Sequence, residues 1–256
     1  MSPTDLRSDT ATRPTARMRE AMARAEVGDD VFCEDPTIGE LERSAADLLG
    51  KEAALFVTSG TQGNLVSLLT HCRRGDAAIV GSESHIYNYE GGGLSALGGI
   101  LPFTVDDASG IPSCDAVTGA CRKPDVHYAP ARLLCLENTH NRAGGLAVPP
   151  ERFAAVAATG RDCGLRIHLD GARLFDAATK WNVEPRIYAD DVDSVQFCLS
   201  KGLGAPVGSL VCGTRSFVEE ARHWRKRLGG GLRQAGVLAA PGLVALGEMR
   251  HRLHED

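Results

Sequence analysis

The sequence has no apolar run long enough to cross a membrane, which takes roughly 20 residues. The best candidate, VLAAPGLVALG, is short and is broken by Pro241 and two glycines. The amino-terminal segment, MSPTDLRSDTATRPT, is polar and has no apolar core of the kind found in signal peptides. We therefore expect no membrane association and a cytoplasmic location.

The chain also lacks an excess of positive charge, since its formal net charge is −5. This balance argues against nonspecific binding of nucleic acid. The composition, with 43% hydrophobic and 24% charged residues in 256 positions, is typical of one large globular domain. The one local exception in charge is the basic cluster of Arg222, Arg225, Lys226, Arg227 and Arg233.

Metal-binding patterns are absent as well. The eight cysteines include no Cys-x-x-Cys pair, and no spacing of cysteine and histidine matches a zinc site. Because the sequence shows no secretory signal, we interpret the cysteines as reduced thiols. The sequence predicts no metal.

What the chain does contain is a series of seven short apolar runs separated by amphipathic segments. Near-continuous apolar strands that alternate with helices indicate a three-layer α/β fold, with a mostly parallel seven-stranded sheet and helices on both faces. Ligands bind such sheets at the carboxyl ends of the strands, which here are residues 59–61, 137–141, 170–173 and 200–202. The seven predicted strands are AALFVT, AAIV, ILPFTV, RLLCLE, LRIHLD, SVQFCL and GSLVC.

Capping signals predict where the first helices begin. Pro14 suits the first turn of one helix. Thr37, with Glu40 three residues later, forms a capping box for the next helix, and Gly50 suits the end of that helix. Further helices are predicted at 62–71, 114–122 and 151–159, and the chain after Ser216 is expected to be helical with an interruption at GGGLRQAG.

Lys201 lies in a serine-lysine-glycine turn between two apolar runs, and Asp170 ends another run 31 residues earlier. Enzymes that use pyridoxal phosphate need such a pair, because a lysine forms a Schiff base with the cofactor and an acid partners its pyridine nitrogen. A lysine taken alone is more often an exposed side chain beside a turn. The other motifs favour the cofactor.

The segment TSGTQGNL runs from a strand end into a helix. Gly60 and Gly63 allow a close backbone approach, while Ser59 and Thr61 offer hydroxyls beside free helix amides. This arrangement predicts a phosphate site at the positive end of the helix dipole. A glycine-containing turn with a threonine cap is the structural alternative.

Three further polar residues follow predicted strands. Arg173, in HLDGARLF, has the paired N–H groups that could clamp a substrate carboxylate, although a surface pair of little energetic value with Asp170 is the alternative. His85, in SESHIYNYEGGG, and His140, in ENTHNRAGG, lie in polar loops. An imidazole there can stack on a cofactor ring or carry protons near neutral pH.

Together these segments resemble the low-specificity L-threonine aldolase family of pyridoxal-phosphate enzymes, which have the aspartate-aminotransferase type of fold. The matching stretches are DLRSDTATRPT, GDDVFCEDPT, GKEAALFVTSGTQGNL, ENTHNRAGG, HLDGAR and LSKGLGAPVGS, and they cover nearly the whole chain. The resemblance implies Lys201 as the Schiff-base lysine and Asp170 as the partner of the pyridine nitrogen. The cofactor-binding set that we predict is Ser59, Gly60, Thr61, His85, Asp170, Arg173, Ser200 and Lys201.

The same resemblance implies the surroundings of the substrate. His85 would stack over the cofactor ring, and Ser8 would lie with Arg173 near the substrate carboxylate. His140 would lie near the substrate hydroxyl, so that His140 and His85 are the two candidates for the catalytic base.

The resemblance also bears on assembly and domain organisation. Family members are homo-oligomers, so we expect a dimer or tetramer in which Lys226 and Arg233 lie near an active site shared between subunits. The alternative for these two residues is the solvated face of a helix. Cys33 stands where the family usually has glycine. We expect residues 1–256 to form the large cofactor-binding domain with an amino-terminal arm, and the small C-terminal domain of the family to be missing.

The activity that the resemblance implies is retro-aldol cleavage of threonine, allo-threonine and related β-hydroxy-α-amino acids to glycine and an aldehyde. Two alternatives stay open. One is a different pyridoxal-phosphate reaction on small amino acids, such as β-elimination, racemisation or transamination, because the same electron sink serves all of them. The other is binding of the cofactor without catalysis.

Overall fold

One seven-stranded sheet forms the centre of the structure, a computed structural model that describes residues 5–123 and 125–255. In chain order the strands are β1 (Ala53–Val57), β2 (Ala77–Gly81), β3 (Leu101–Val105), β4 (Ala131–Glu137), β5 (Arg166–Asp170), β6 (Ser194–Cys198) and β7 (Ser209–Gly213). Their order across the sheet is β1-β7-β6-β5-β4-β2-β3. Strand β7 runs antiparallel to both of its neighbours, and the other pairs are parallel. The predicted mostly parallel sheet is confirmed, and each strand falls within one of the predicted apolar runs or overlaps it.

Helices cover both faces of the sheet, as the alternation of side chains along each strand shows. In β4, Leu134 and Leu136 pack into one core cluster, whereas Leu133 and Cys135 pack into another on the opposite face. The three-layer α/β architecture is therefore confirmed. The helices are α1 (Ala16–Arg24), α2 (Pro36–Leu49), α3 (Gly60–His71), α4 (His85–Asn88), α5 (Gly93–Ala96), α6 (Cys114–Ala120), α7 (Pro150–Asp162), α8 (Leu174–Trp181), α9 (Arg186–Asp190), α10 (Arg215–Arg227) and α11 (Gly236–Gly247).

The chain after α11 ends in a 3-10 helix, Met249–Glu255. The predicted helices at 62–71, 114–122 and 151–159 correspond to α3, α6 and α7, with ends that agree or differ by at most three residues. The predicted interruption of the C-terminal helical region lies between α10 and α11. Among the residues described, none of the helices has both the length and the apolar character that crossing a membrane requires.

Two predicted helix starts were wrong by a residue or two, for a common reason. Helix α1 is capped by Thr15, which accepts a hydrogen bond from the Met18 amide, so Pro14 precedes the cap instead of lying in the first turn. Helix α2 is capped by Asp35 and not by Thr37, whose hydroxyl instead donates to a backbone carbonyl outside the helix. In both cases the helix begins at a neighbouring residue whose side chain accepts a hydrogen bond from a free amide of the first turn.

Cys33 adopts a left-handed backbone conformation, with φ of 59°. Glycine reaches this region without the steric conflict that a Cβ atom creates. The backbone therefore gives a physical reason for the glycine that the resemblance leads one to expect at this position.

Asp35 does more than cap α2, and its replacement by alanine is expected to destabilise the fold. One carboxylate oxygen accepts from the Ile38 amide at 3.0 Å, and the other accepts from the amides of Gly28 at 3.2 Å and Gly236 at 2.8 Å. Losing the cap and leaving buried amides unpaired should lower the free energy of unfolding by about 3 kcal/mol in urea denaturation. Asp35→Asn retains one acceptor oxygen and should lose less.

The matched control for this prediction is Asp47→Ala, an exposed carboxylate on the same helix. Its replacement should change the free energy of unfolding by no more than about 0.5 kcal/mol. Equal losses for Asp35→Ala and Asp47→Ala would contradict the bridging role of Asp35.

Candidate active site

Asp170 is the last residue of β5 and is almost fully buried, with 2% of its surface exposed. One of its carboxylate oxygens accepts from Gln196 Nε2 at 2.6 Å and from the Ala172 amide at 3.1 Å. The other accepts from Asn64 Nδ2 at 2.8 Å. Three donors therefore compensate a buried carboxylate at the carboxyl edge of the sheet, where bound ligands are expected.

Asn64 connects Asp170 to a second buried carboxylate, Glu90. The Asn64 amide also donates to Glu90 Oε1 at 2.7 Å, and His85 Nδ1 lies 3.0 Å from the same oxygen. The hydrogen bond with Glu90 raises the pKa of His85 above its ordinary value, although burial opposes the shift. Burial raises the pKa of Glu90. The structure thus brings His85 and Asp170, both predicted site residues, into one hydrogen-bonded group.

This group also has the composition of a cation site, because ligand atoms of His85, Glu90 and Asp170 lie within 4.8 Å of one another. However, the Asn64 amide already bridges the two carboxylates, and Glu90 already accepts from His85. We therefore interpret the three residues as a hydrogen-bonded cluster.

A third carboxylate, that of Glu137 in β4, binds the backbone amide of His85. Glu137 of β4 is paired in register with Asp170 of β5. Its Oε2 accepts from the His85 amide at 2.7 Å, and its Oε1 accepts from the Asn141 amide at 2.9 Å. Burial, with the nearby charge of Asp170, raises the pKa of Glu137. Glu137 therefore ties the loop that begins α4 to the loop that follows β4.

The N-terminus of α3 lies at the end of β1, as the sequence predicts. Ser59 caps the helix by accepting from the Gln62 amide at 3.1 Å. Ser59 and Thr61 are exposed and Gly60 is half-buried. The first amides of a helix have no intrahelical acceptor, so this terminus can bind an anion.

The structure gives Gly60 and Gly63 a role in packing, where the sequence suggested an approach to a ligand. A Cβ atom on Gly60 would lie 2.8 Å from Cys198 Sγ. On Gly63 it would lie 3.2 Å from Val211 and 3.3 Å from Gln196. The glycines let α3 pack directly on strands β6 and β7, which sets the height of the helix terminus above the sheet.

Arg173 is held by Asp9 of the amino-terminal arm. Two parallel hydrogen bonds join them, from Arg173 Nε at 2.6 Å and from Nη2 at 2.8 Å. Burial by itself would raise the pKa of Asp9, but the hydrogen bonds and charge of Arg173, together with the charge of Lys201, lower it. Ser8 donates to Asp9 at 3.3 Å. Asp9 therefore groups Ser8, Arg173 and Lys201, three of the predicted site residues.

Lys201 follows the end of β6 and is partly buried, as is Ser200. Its backbone carbonyl accepts from the Thr12 hydroxyl at 2.9 Å, so the amino-terminal arm is also fastened at this turn. Lys201 lies close enough for its charge to act on both Asp9 and Cys198. Cys198 in turn lies beneath Gly60. The lysine therefore lies at the same edge of the sheet as the group around Asp9 and the terminus of α3.

His140 lies in a different setting from His85. It is 1% exposed, and its Nε2 lies 2.8 Å from Asp107 Oδ2. Its Nδ1 accepts from the Ala143 amide at 3.1 Å. Because Nδ1 accepts, Nε2 carries the proton and donates it to Asp107. Both ring nitrogens of His140 are thus engaged within the protein.

Two histidines lie behind the site, in the interior. His168 of β5 is fully buried, and burial lowers its pKa to about 3. His71, at the end of α3, has its pKa lowered to about 4, chiefly by burial, with the charge of Asp193 opposing and that of Arg166 reinforcing the shift. Both imidazoles are therefore neutral at physiological pH.

Acidification is expected to destabilise the protein partly through His71. The folded-state pKa is depressed from 6.5 to about 4. Between these values the unfolded chain binds a proton that the folded chain does not, so stability present above pH 6.5 is lost as the pH falls through this window. His71→Gln should reduce the slope of unfolding free energy against pH by about 1.4 kcal/mol per unit, measured by urea denaturation at stepped pH.

The control is Thr70→Ala, a change to a neighbouring residue that does not titrate. It should shift the free energy of unfolding by the same amount at every pH. An unchanged slope in His71→Gln would show that this histidine does not stay neutral in the folded protein.

The basic cluster is divided between structural and exposed members. Arg225 is 2% exposed, pairs with Asp30 at 2.7 Å, and donates to the Phe56 carbonyl at 2.8 Å. Arg222 pairs with Glu42 at 2.9 Å. Arg225 is therefore part of the core. Lys226 and Arg233 are exposed, and Arg233 lies 3.4 Å from a carboxylate oxygen of Asp29.

Several residues of the site were not found by sequence reasoning. Five of them each contact a predicted site residue: Asn64, Glu90, Gln196, Asp9 and Asp107. A signal existed for Gln196, because a polar residue inside an apolar strand must find a buried partner. For the others the sequence offers no comparable signal, since their contacts join segments far apart in the chain.

Solved structures of other proteins share the architecture of this chain. The Leishmania major threonine aldolase superposes with a TM-score of 0.85 at 22% identity, over 97% of this chain and 73% of that one. The Sphingomonas wittichii serine palmitoyltransferase superposes with a TM-score of 0.69 at 20% identity, over 92% and 57%. At these identities the likeness shows the fold, which is the α/β fold of the aspartate-aminotransferase type.

Sequence comparison identifies the family. A model of the family described as beta-eliminating lyase matches residues 5–256. Low-specificity L-threonine aldolase 1 of Arabidopsis thaliana is 50% identical over 100% of this chain and 73% of that protein. The low specificity L-threonine aldolase of Escherichia coli K12 is 48% identical over 98% and 75%. The chain belongs to the beta-eliminating lyase family, and these two relatives are described as low-specificity L-threonine aldolases.

Proposed function

We propose that this protein is a low-specificity L-threonine aldolase. It cleaves the Cα–Cβ bond of L-threonine, L-allo-threonine and related β-hydroxy-α-amino acids, giving glycine and an aldehyde, which is acetaldehyde for threonine. The observation that supports this most strongly is the grouping of Asp170, His85, Lys201 and Arg173 at one edge of a sheet in a chain 48% identical to an aldolase of the same description.

We propose pyridoxal 5′-phosphate as the cofactor, because the donors at the site match its chemical groups. The terminus of α3 with Ser59, Gly60 and Thr61 suits the phosphate. The buried Asp170 carboxylate suits a protonated ring nitrogen, and Lys201 supplies the amine that takes up the cofactor aldehyde. When bound, the cofactor ring accepts the electron pair released as the Cα–Cβ bond breaks.

The residues of the protein itself then bind and orient the substrate. Arg173 is positioned by Asp9, and N–H groups that Asp9 does not use are available to a substrate carboxylate. The Ser8 hydroxyl donates to Asp9 at 3.3 Å, and turning it from Asp9 to the substrate carboxylate would add a second donor there. This placement agrees with the roles that the resemblance implies for Ser8 and Arg173.

We propose His85 as the group that takes the β-hydroxyl proton, directly or through a water molecule. Its Nδ1 is held by Glu90, so Nε2 is the ring nitrogen that we propose for the proton, and its side chain is 30% exposed. His140 has both ring nitrogens engaged, by Asp107 and by the Ala143 amide. We therefore assign His140 to shaping the pocket beside the hydroxyl and His85 to proton transfer and stacking on the ring.

The test is the release of products from L-threonine by the purified protein with added pyridoxal phosphate. Glycine and acetaldehyde in equal amounts would support the proposal. The family description makes β-elimination the second candidate, and an α-keto acid with ammonia would favour it. Comparison of L-threonine, L-allo-threonine and L-serine under the same conditions separates the two reactions.

We also propose that the active protein is a homo-oligomer in the cytoplasm. Lys226 and Arg233 are exposed and lie on or after α10, at a distance in sequence from the site residues. The resemblance supports a place for them near the phosphate of a neighbouring subunit. Sedimentation of the purified protein, with and without cofactor, tests the assembly.

A further inference from the structure

A line of four buried or half-buried polar side chains runs from the two carboxylates of the site into the interior. We call these residues, Asn64, His168, Ser194 and His71, the relay. Asn64 Oδ1 lies 3.1 Å from His168 Nε2, and His168 Nδ1 lies 2.8 Å from Ser194 Oγ. Ser194 Oγ lies 2.7 Å from His71 Nε2. The relay begins at Asn64 of α3, beside Asp170 at the carboxyl end of β5, and ends at His71, the last residue of α3.

The direction of every hydrogen bond in the relay follows from its first member. The Asn64 amide group faces Asp170 and Glu90, which only accept, so its oxygen must face His168. His168 must then carry its proton on Nε2, and its Nδ1 must accept.

The hydrogen-bond directions at Ser194 and His71 are determined in the same way. Ser194 donates its single hydroxyl hydrogen to His168 Nδ1, so the Ser194 oxygen must accept from His71 Nε2. All donors therefore point towards the site. The low pKa values of His168 and His71 agree, because this arrangement needs both rings neutral.

The relay occupies positions where apolar side chains would be simpler to bury. His168 and Ser194 are fully buried, and Asn64 is 1% exposed. A buried polar side chain costs stability unless it is hydrogen-bonded, and a satisfied network orients its members strongly. The network thereby orients one amide group, that of Asn64, which contacts both Asp170 and Glu90.

We propose that the relay is a positioning device. His168, held by Ser194 and His71, fixes the orientation of the Asn64 amide. The two N–H bonds of that amide in turn fix the orientations of the Asp170 and Glu90 carboxylates. Asp170 is then held towards the ring-nitrogen subsite, and Glu90 towards His85. The inference rests on the proposed function for the identity of the ligand. His168, Ser194 and His71 are positioning residues, since they act through Asn64.

The first experiment compares two replacements of His168 by titrating the full chain with pyridoxal phosphate. His168→Leu removes the donor to Asn64 and thereby loosens the hydrogen bond from Asn64 to the charged Asp170. Loss of a bond to a charged group should weaken cofactor binding about tenfold, and it should alter the visible absorbance of the bound cofactor. His168→Gln places an amide N–H near the position of Nε2 and should restore both properties.

The matched control is Leu169→Val, the next residue of β5, which is buried on the opposite face of the sheet. It should lower the stability of the protein without changing cofactor affinity or absorbance. Wild-type affinity and absorbance in His168→Leu would overturn the proposal. So would an equal weakening in Leu169→Val, because the effect would then come from lost stability alone.

The second experiment needs no cofactor. Nitrogen-15 spectra of the unliganded protein should show His168 neutral with its proton on Nε2, and the side-chain amide signals of Asn64 should shift in His168→Leu and return in His168→Gln. A proton on Nδ1, or unshifted Asn64 signals, would overturn the relay. If the wild-type protein fails to bind pyridoxal phosphate, the proposed function fails, and these spectra still decide the relay by themselves.

Discussion

Lys201→Ala is expected to lower turnover of L-threonine by at least about a thousandfold, the scale at which removal of a covalent catalytic group acts. The substitution removes the amine of the turn after β6, which we propose to bond to the cofactor and whose charge acts on Asp9 and Cys198. Noncovalent binding of the cofactor should remain, because the contacts proposed for its phosphate and ring nitrogen are unchanged. The measurement is acetaldehyde release, with cofactor retention followed by absorbance.

The control for this prediction is Lys180→Ala, which removes an exposed lysine of α8. It should turn over threonine at the wild-type rate. Undiminished activity in Lys201→Ala would remove the basis for the proposed function. Loss of cofactor binding as well as activity would mean that the phosphate and ring-nitrogen contacts do not hold the cofactor without its bond to Lys201.

Asp170→Asn should lower turnover by about 10²- to 10³-fold, as expected when a preorganised electrostatic partner is lost from a buried site. The change keeps the size of the side chain but removes the charge that keeps a ring nitrogen protonated. It also turns one acceptor into a donor, which must face either Asn64 Nδ2 or the donors Gln196 Nε2 and Ala172 N. Both the cofactor contact and the support behind it are therefore weakened.

Steady-state assays and cofactor titration of Asp170→Asn test this expectation, with Asp190→Asn as the control. Asp190 ends α9, is exposed and pairs with Arg186 on the surface. Its neutralisation should leave both measurements unchanged. Equal activity of Asp170→Asn and the wild type would show that the ring nitrogen needs no anionic partner here.

Much of the site could be predicted because its residues follow strands. Asp170 and Lys201 each come at or after the end of an apolar run, and parallel strands bring such ends to one edge of the sheet. Ser59 was predicted beside a helix terminus and caps α3. The environment of His140 could not be predicted in this way, because Asp107 approaches it from the loop after β3.

Local signals were least reliable where tertiary contacts compete for the same group. Thr37 and Glu40 satisfied the pattern of a capping box, yet Asp35 caps α2 because its carboxylate also bridges Gly28 and Gly236. Within the basic cluster, Arg225 is buried and pairs with Asp30, which its charge alone does not indicate. In both cases a partner distant in the chain decided the outcome.

The sequence by itself determined the seven strands, their burial on two faces, the family and the residues most closely tied to the chemistry. These follow from periodicity and from short motifs, which depend on neighbours in the chain. Only the tertiary structure decided how the site is held: Asn64 between Asp170 and Glu90, and Asp9 on Arg173. Such contacts join side chains more than 20 residues apart, and hydrogen-bond geometry between them exists only once the sheet has brought their segments together.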